Sequence, residues 1–244
     1  MTEWFVEWFD TEEYLNVYRH RNNYDARKIV DLILSNIELT KEAKVLDMAC
    51  GSGRHSILFA EKGFQVTAVD LSTNLLNAAK SAAKIAGLNI DFIRSDLRKF
   101  SICTNFELVI NLFTSFGYFE DDDDNFKVFA TAYKHLVKKG YFVLDYFNSR
   151  YIEKNLVRES TEDFGDEKII QRRSINGTRV NKQIIIKSNG DEKHFRESVR
   201  MYKKCELFRA IQSSRFTIEN IFGDSSGNSF DLETSPRIII IARK

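Results

Sequence analysis

Two aspartates flank a glycine-rich turn in the first third of the chain, and their spacing is typical of a nucleotide-binding βαβ unit. Asp47 follows the apolar pair Val45-Leu46, the turn is Gly51-Ser52-Gly53, and Asp70 ends a second apolar run. Glycine lets the backbone turn sharply and brings its N–H groups close to a ligand. An acid at the end of the second strand can accept hydrogen bonds from both ribose hydroxyls. The pattern therefore predicts a site for a cofactor that contains adenosine.

The residues around the turn help to choose the class of cofactor. The dinucleotide fingerprint needs a third small residue at position 56, where this chain has Ser56. The string from Val45 to Arg54, VLDMACGSGR, closely resembles the first motif of the class I S-adenosylmethionine-dependent methyltransferases. In that family the acid at position 47 helps to orient the methionyl end of the cofactor. The resemblance implies S-adenosylmethionine as cofactor and S-adenosylhomocysteine as product; the alternative is a Rossmann-like domain without a nucleotide.

The same resemblance assigns roles to residues at the ends of later strands. In that family an acid at the position of Asp96 hydrogen-bonds the exocyclic amine of adenine, although a turn-capping aspartate would look the same. Ligands of doubly wound sheets sit at the carboxyl ends of the strands, so Asn111, Phe113 and Phe116 should border the transferred methyl group. The predicted cofactor-binding residues are Tyr18, Asp47, Ala49, Cys50, Gly51, Gly53, Asp70, Leu71, Asp96, Leu97, Asn111, Phe113 and Phe116.

The apolar periodicity predicts an α/β fold with alternating strands and helices. The resemblance implies a Rossmann-like, seven-stranded, mostly parallel sheet with helices on both faces and an antiparallel last strand. That last strand should contain the run Ile238–Ile241, which is apolar enough to be covered on both sides. Specific motifs carry the resemblance over about residues 40–148, and the order of elements carries it over residues 204–244.

Residues 150–202 interrupt the plain fold with a different pattern. Two Asn-Gly pairs, Asn176-Gly177 and Asn189-Gly190, separate segments of high β propensity, which is a strong hairpin pattern. They predict a three-stranded antiparallel meander. We therefore expect four parts: an N-terminal helical lid, a cofactor-binding core, a meander insert over the acceptor site, and a segment that completes the core sheet. Their ranges are 1–40, 41–149, 150–202 and 203–244.

Four consecutive acids, Asp121 to Asp124, could suggest a metal site. They lie ahead of and within the first turn of a helix predicted over Asn125 to Lys138, where negative charge favours the helix dipole. We therefore predict a structural role for them and no bound metal.

The chemistry implied by the resemblance does not require a fixed catalytic residue. Methyl transfer from a sulfonium is an in-line displacement, so alignment of the acceptor and exclusion of water carry most of the work. An amine acceptor needs at most a weak base, whereas a hydroxyl needs proton removal. By position, the candidate bases are Tyr14, Asp145 and His194, each of which also has a structural interpretation: packing under a lid, capping a strand-end loop, and a solvated strand face.

Composition excludes several classes of protein. The chain has 244 residues, of which 43% are hydrophobic, and a net charge of +1. That fits one globular domain with a sizeable core and gives no sign of a large nucleic-acid footprint, although a local basic patch remains open. The three cysteines lie far apart without metal-ligand spacing, which fits a reducing compartment. The N-terminus does not resemble a signal peptide, and no apolar run approaches the roughly 20 residues of a membrane span. We expect a cytoplasmic protein without a membrane partner.

Three functions fit these observations. The first is a methyltransferase acting on N or O of a small molecule, because the insert resembles in layout that of enzymes methylating amino sugars or glycine. The string Asn-Leu-Phe-Thr at 111–114 lacks the prolines typical of enzymes that methylate nucleobase amines. The second is an RNA or protein methyltransferase, motivated by the basic residues Arg172, Arg173, Lys182, Arg196 and Arg200 of the meander. The third is a non-catalytic module that binds S-adenosylmethionine or a partner. The aromatic N-terminus suggests a possible homodimer contact.

Overall fold

The computed structural model describes residues 3–19, 23–188 and 190–244. Its helices are α1 Trp4–Trp8, α2 Glu12–Val17, α3 Asn23–Asn36, α4 Arg54–Glu61, α5 Thr73–Ile85, α6 Asp122–His135, α7 Ser149–Asn155 and α8 Lys204–Ser213. Its strands are β1 Lys44–Met48, β2 Gln65–Asp70, β3 Asp91–Arg94, β4 Phe106–Asn111, β5 Leu136–Phe147, β6 Glu159–Phe164, β7 Glu167–Asn176, β8 Arg179–Ser188, β9 Asp191–Arg200, β10 Thr217–Phe222 and β11 Arg237–Arg243.

Seven strands form the main sheet in the order β10-β11-β5-β4-β1-β2-β3. β1 to β5 pair in parallel, and β11 lies antiparallel between β5 and β10. This topology confirms the predicted Rossmann-like fold. The strand order reverses between β1 and β4, and ligands of such sheets bind outside the strand ends at that reversal.

Each face of the main sheet is buried by its own hydrophobic cluster. Ile33 of α3 and Leu58 of α4 belong to the cluster on one face, while Phe129 of α6 and Leu207 of α8 belong to the cluster on the other. Burial of one such side chain contributes about 1.5–3 kcal/mol. The two clusters therefore hold the strand ends that carry the glycine turn in a fixed position.

The insert is a four-stranded sheet in the order β6-β7-β8-β9, so the prediction of three strands was one short. β6 pairs with β7 through a two-residue turn, Gly165-Asp166, in which Gly165 has φ of +57°. The added strand was missed because its residues, Glu159 to Phe164, are mostly polar and exposed and show no apolar alternation. β7 pairs antiparallel with β8 and β8 with β9, as predicted; Asn176 ends β7 and pairs with Arg179, so Gly177-Thr178 form the first connection, and Asn189 of the second pair lies outside the described residues.

The helix over the acid run begins and ends earlier than predicted. Asp121 is the N-cap of α6, and its carboxylate accepts a hydrogen bond of 2.8 Å from the Asp123 N–H. The helix ends at His135, and Leu136 to Gly140 already belong to β5. The described ranges hold no group of three or more His, Cys, Asp or Glu side chains arranged around a metal-sized space. Within the same ranges, no helix combines the length and apolar character of a membrane span.

The N-terminal helices join the insert to the main sheet. The Trp8 ring lies 4.4 Å from the Phe195 ring of β9, measured between centroids. On the other side the Asp10 carboxylate accepts hydrogen bonds of 2.8 Å from Ser72 Oγ and from the Asn74 N–H at the start of α5. Trp4, Phe5 and Trp8 are all buried inside this one chain. The aromatic residues that suggested a homodimer are therefore already covered, and the homodimer itself stays a prediction.

Candidate active site

The glycine turn has the backbone geometry that its sequence predicts. Ala49, Gly51 and Gly53 have φ values of +61°, +56° and +79°. A Cβ at position 53 would lie 2.9 Å from Ala79 Cβ, so α4 and α5 approach too closely there for any side chain. At position 51 no atom lies within 4 Å of the corresponding Cβ position. Gly53 thus serves helix packing, whereas Gly51 leaves open space in front of the turn.

Asp70 ties the glycine turn to the end of β2. Its Oδ2 accepts the Gly51 N–H at 2.7 Å, and its Oδ1 accepts the Ser72 N–H at 2.9 Å. Burial raises the pKa of this carboxyl, although the backbone hydrogen bonds oppose the effect. The carboxyl group lies on a cavity wall, as expected for an acid that could meet ribose hydroxyls.

Asp47 lies behind the turn rather than on a cavity wall. Its Oδ2 accepts a hydrogen bond of 2.6 Å from Ser56 Oγ, and its side chain is fully buried. Burial raises its pKa to about 7 despite that bond. Ser56, which stands where the dinucleotide fingerprint has its third small residue, is therefore the direct hydrogen-bond partner of Asp47.

Two adjoining cavities meet at the glycine turn. The larger encloses about 570 Å³ and the smaller about 100 Å³. The larger volume falls within the roughly 300–1,000 Å³ of small-molecule sites. Residues shared by both walls are Phe9, Tyr14, Ala49, Gly51, Ser115 and Tyr118. Of the other predicted residues, the larger wall includes Tyr18, Cys50 and Phe113, and the smaller wall includes Asp70, Leu71, Asp96, Leu97 and Phe116.

Three predicted residues are absent from both walls: Asp47, Gly53 and Asn111. Asn111 is fully buried at the end of β4. Its Nδ2 donates to the carbonyl of Met48 at 2.9 Å and to that of Ser115 at 3.1 Å. Asn111 therefore links the ends of β1 and β4 and does not border the cavity as expected.

Asp96 lies on the wall of the smaller cavity but already has a strong partner. Arg98 donates from Nη2 to Asp96 Oδ2 at 2.6 Å, and its backbone N–H donates to Asp96 Oδ1 at 2.8 Å. Burial alone would raise the pKa of Asp96, but the Arg98 hydrogen bonds and charge outweigh it and lower the pKa. The group is therefore an ionised carboxylate whose orientation is fixed by Arg98.

The three candidate bases have different surroundings. Tyr14 lies on the walls of both cavities. His194 projects from β9 on the face opposite to Phe195, is exposed, and contacts Glu192 at 2.8 Å. Asp145 is buried at the end of β5 and is absent from both walls. Of these three candidate bases, Tyr14 lines the cavities, and Asp145 and His194 do not.

Asp145 instead holds the loop after β4. Its Oδ2 accepts the Phe113 N–H at 2.9 Å, and its Oδ1 forms an ion pair with Arg237. Arg237 also donates to Thr114 Oγ1 at 2.9 Å. Phe113 and Thr114 have φ of +58° and +63°, a backbone region that non-glycine residues rarely adopt. Strained backbone of this kind persists where its surroundings fix it, and it is common at functional sites.

Sequence reasoning did not assign several residues of the larger cavity to the cofactor or acceptor site. They are Arg54, His55, Glu197 and Arg237, together with Arg173 and Lys182, which it named only as basic residues of the meander. Arg54 is the last residue of the quoted motif and His55 follows it, so extending the motif by one residue would have included both. Burial, followed by the charges of Arg54 and Arg237, lowers the pKa of His55 to about 3, so its imidazole is neutral. Nothing in the local sequence marks Arg237, which reaches the site through β11.

Comparison with known proteins agrees with this arrangement. The crystal structure of an S-adenosylmethionine-dependent methyltransferase from Clostridium acetobutylicum ATCC 824 has the same fold, with a TM-score of 0.81 and 22% identity over 95% of this chain and 97% of that chain. The methyltransferase domain family matches residues 45–140, which include the glycine turn and both flanking aspartates. A chain of Geobacillus sp. (strain WCH70) with a provisional methyltransferase name is 23% identical over 252 residues, 99% of each chain. Residues 45–140 therefore match a methyltransferase domain, and the chain has the fold of an S-adenosylmethionine-dependent methyltransferase.

The matched domain agrees with the methyltransferase activity that the first motif predicted, and two solved structures of the same fold, CalS10 and MtfA, contain S-adenosylmethionine. A further relative is the dTDP-3-amino-3,4,6-trideoxy-alpha-D-glucopyranose N,N-dimethyltransferase of Streptomyces venezuelae. It is 25% identical over 218 residues, which cover 83% of this chain and 86% of the relative. The similarity to that enzyme therefore includes the insert as well as the cofactor-binding half.

Proposed function

We propose that this methyltransferase transfers a methyl group from S-adenosylmethionine to a nitrogen or oxygen of a small-molecule acceptor. The observation that carries the proposal is the larger cavity of about 570 Å³, which opens from the glycine turn and is walled by both the core and the insert. The Streptomyces venezuelae relative, named as an amino-sugar N-methyltransferase, supports an acceptor of this size class.

The residues on the two walls fit the cofactor. We assign the ribose to Asp70 and the adenine to the smaller cavity, where Asp96, Leu71, Leu97 and Phe116 lie. The open space in front of Gly51 lets the backbone approach the methionyl part, beside Ala49 and Cys50. Bound there, the cofactor supplies an electrophilic methyl group on a sulfonium. Asp47 would act through Ser56 and the position of the turn, and Gly53 and Asn111 would act by fixing the surrounding strands and helices.

The acceptor would occupy the part of the larger cavity beyond the glycine turn. Tyr14 and Tyr18 of the N-terminal helices form one side of it, and Val180 and Val199 of the insert form another. We therefore keep the interpretation of residues 1–40 as a lid and of residues 150–202 as the acceptor cover. Enclosure from both sides excludes water and holds the acceptor in line with the methyl group.

The structure gives less support to a polymer acceptor than the sequence did. Cross-strand pairing places Arg172 and Arg196 on one face of the insert and Arg173 and Lys182 on the other. Arg172 pairs with Glu159 at 2.9 Å, and Arg200 pairs with Glu206 at 3.0 Å. The five basic residues that motivated an RNA or protein acceptor are thus divided between two faces and partly neutralised.

Transfer of a labelled methyl group tests the proposal directly. The enzyme is incubated with methyl-labelled S-adenosylmethionine and a cell extract that has been separated into metabolite, RNA and protein fractions. We expect label in the metabolite fraction and stabilisation of the enzyme by S-adenosylhomocysteine in a thermal-shift titration. Label confined to RNA or protein would refute the small-molecule acceptor. Absence of any shift with S-adenosylhomocysteine would refute the proposed cofactor site.

A further inference from the structure

Three charged side chains form one row across the insert. Arg173 of β7 is paired with Lys182 of β8, and Lys182 is paired with Glu197 of β9. Directly opposed residues on neighbouring strands project from the same face of a sheet. All three line the larger cavity. The insert therefore presents two cations and one anion, in a fixed order, to the space assigned to the acceptor.

Within this row Glu197 compensates Lys182. Its Oε2 lies 3.0 Å from Lys182 Nζ, and its Oε1 accepts hydrogen bonds from Trp8 Nε1 at 2.8 Å and Tyr18 Oη at 2.5 Å. Burial alone would raise the pKa of Glu197, but the Lys182 charge and these donors outweigh it and lower the pKa. Glu197 is therefore ionised, and one positive charge of the row remains uncompensated.

That remaining charge belongs to Arg173. Its Nη1 donates to Ser160 Oγ at 3.0 Å and to the Val157 carbonyl at 3.3 Å, and its Nη2 donates to Gln171 Oε1 at 2.7 Å. Among the described residues, all the hydrogen-bond partners of this guanidinium are neutral. The contacts fix the guanidinium at the wall without cancelling its charge.

The rest of the larger cavity adds positive charge. Its cationic side chains are Arg19, Arg54, Arg173, Lys182 and Arg237, and Glu197 is the carboxylate that its described lining includes. Outside the wall, Glu162 pairs with Arg19 and Asp145 pairs with Arg237. His55, which also lines the cavity, is neutral because burial and its two arginine neighbours lower its pKa to about 3. After these ion pairs are counted, Arg173 still contributes a positive charge to the chamber.

The cofactor does not supply the missing negative charge. Its methionyl carboxylate is outweighed by its own ammonium and sulfonium groups, so the whole ligand is a net cation. Asp70 and Asp96 belong to the smaller cavity, where we assign the adenosine. Arg173 is half-buried, so solvent screens part of its charge, but a guanidinium fixed at the wall without an acidic partner still favours an anionic group on the other ligand of the chamber.

We infer that the acceptor carries an anionic group, a carboxylate or a phosphate, and that Arg173 binds it. This inference rests on the proposed function, because it describes the acceptor of the same site. A planar guanidinium whose donors are held in a fixed direction suits the paired oxygens of either group. Arg173 then acts as a specificity-determining residue at the end of the chamber formed by the insert.

Anion binding to the enzyme saturated with S-adenosylhomocysteine tests the inference. Saturation fills the site of the cofactor carboxylate before inorganic pyrophosphate or malonate is titrated calorimetrically at constant ionic strength. Pyrophosphate represents a phosphate-bearing acceptor, and malonate represents a carboxylate-bearing one. We expect saturable binding of one of them, weakened about tenfold or more by Arg173→Gln, since a charge-assisted contact is lost.

Arg172→Gln is the matched control, because Arg172 is the neighbour on β7, projects from the other face, and pairs with Glu159. It should change the affinity for the anion by less than about twofold, in keeping with the small effect of exposed ion pairs. If Arg173→Gln does not fold, Arg173→Lys keeps the charge, loses the planar fork, and should still weaken binding. Normal S-adenosylhomocysteine binding without saturable anion binding, or equal effects of both glutamine variants, would overturn this inference alone. Absent S-adenosylhomocysteine binding would overturn the proposed function and this inference with it.

Discussion

Asp145 accepts the backbone N–H of Phe113 at 2.9 Å, and this bond joins the end of β5 to the loop that forms part of the acceptor cavity. Both Phe113 and Thr114 have positive φ, so the loop depends on external contacts to keep its shape. Arg237 completes the arrangement by pairing with Asp145 and donating to Thr114. A residue that we first considered as a base is therefore better explained as the support of a strained loop.

Asp145→Asn should lower kcat about tenfold or more through misplacement of the loop, because small errors in alignment are costly for in-line transfer. Dissociation constants for S-adenosylhomocysteine should stay within about threefold, since the assigned contact on this loop, Phe116, is held separately by stacking on Phe129. Steady-state kinetics and calorimetry measure the two effects. Glu219→Gln, which removes the exposed partner of Arg243 on β11, is the control and should leave kcat unchanged. A normal kcat in Asp145→Asn would argue against the support role.

Asp70→Asn should weaken binding of S-adenosylhomocysteine by about 10-fold to 100-fold, the value of a lost charge-assisted hydrogen bond pair. It should also lower the free energy of unfolding, because an amide cannot accept from both the Gly51 and the Ser72 N–H groups. Calorimetry at a temperature where the variant is folded separates the two effects. Asp91→Asn, at an exposed position on β3, is the control. Equal affinities of the variant and the wild type would remove the ribose role.

The two glycines of the turn should respond differently to alanine. Gly53→Ala combines a positive φ with a 2.9 Å approach to Ala79 Cβ, and should lose roughly 2–4 kcal/mol of unfolding free energy. An alanine Cβ at position 51 meets no protein atom, so Gly51→Ala should lose only about 1 kcal/mol of unfolding free energy. It should nevertheless weaken S-adenosylhomocysteine binding, because the methyl group fills the space in front of the turn. Urea unfolding measures the loss of unfolding free energy in both variants. The double change Gly53→Ala with Ala79→Gly should recover the steric part; no recovery would show that the contact with α5 is unimportant.

Asp47 and His55 should give opposite pH dependences of stability. The folded pKa of Asp47, about 7, lies above its ordinary 3.8, so between about pH 4 and 7 the fold loses stability from this group as pH rises. The folded pKa of His55, about 3, lies below its ordinary 6.5, so the fold loses stability from this group as pH falls through that range. Each effect is about 4–5 kcal/mol, and in the wild type they largely cancel.

Single variants should expose each dependence. Asp47→Asn should lose more unfolding free energy than the wild type on acidification from pH 7 to 4.5, and His55→Gln should gain. Urea unfolding without cofactor across this range tests both slopes. His194→Gln changes an exposed histidine of β9 and should keep the wild-type profile. Parallel profiles for all four proteins would contradict both assignments.

The cofactor half could be predicted from sequence because its determinants are local. The turn, its two acids and the strands around them fall within residues 44–70, and each residue type has a backbone or hydrogen-bonding reason to be there. The same logic failed for Asn111, whose place near a strand end was clear but whose side chain turns toward Met48 and Ser115. Strand ends can be predicted from periodicity, whereas the direction of a polar side chain depends on neighbours far away in sequence.

The acceptor half could be predicted only in outline. The Asn-Gly turns revealed the insert, but β6 has no apolar alternation and was missed. The row of Arg173, Lys182 and Glu197 depends on the register of three strands. The positions of the turns in the sequence indicate that register only indirectly. Arg237 meets Asp145 across 92 residues of sequence, and no local pattern predicts such a pair.

The contacts of Asp10 with Ser72 and Asn74 have a kinetic consequence. They fasten the N-terminal segment two residues beyond Asp70, beside the smaller cavity that Phe9 helps to line and to which we assign the adenosine. We expect that each cycle of the enzyme requires this fastening to break and re-form. Opening of this N-terminal segment would then limit the turnover rate. Asp10→Ala would raise both the dissociation rate and the dissociation constant of S-adenosylhomocysteine.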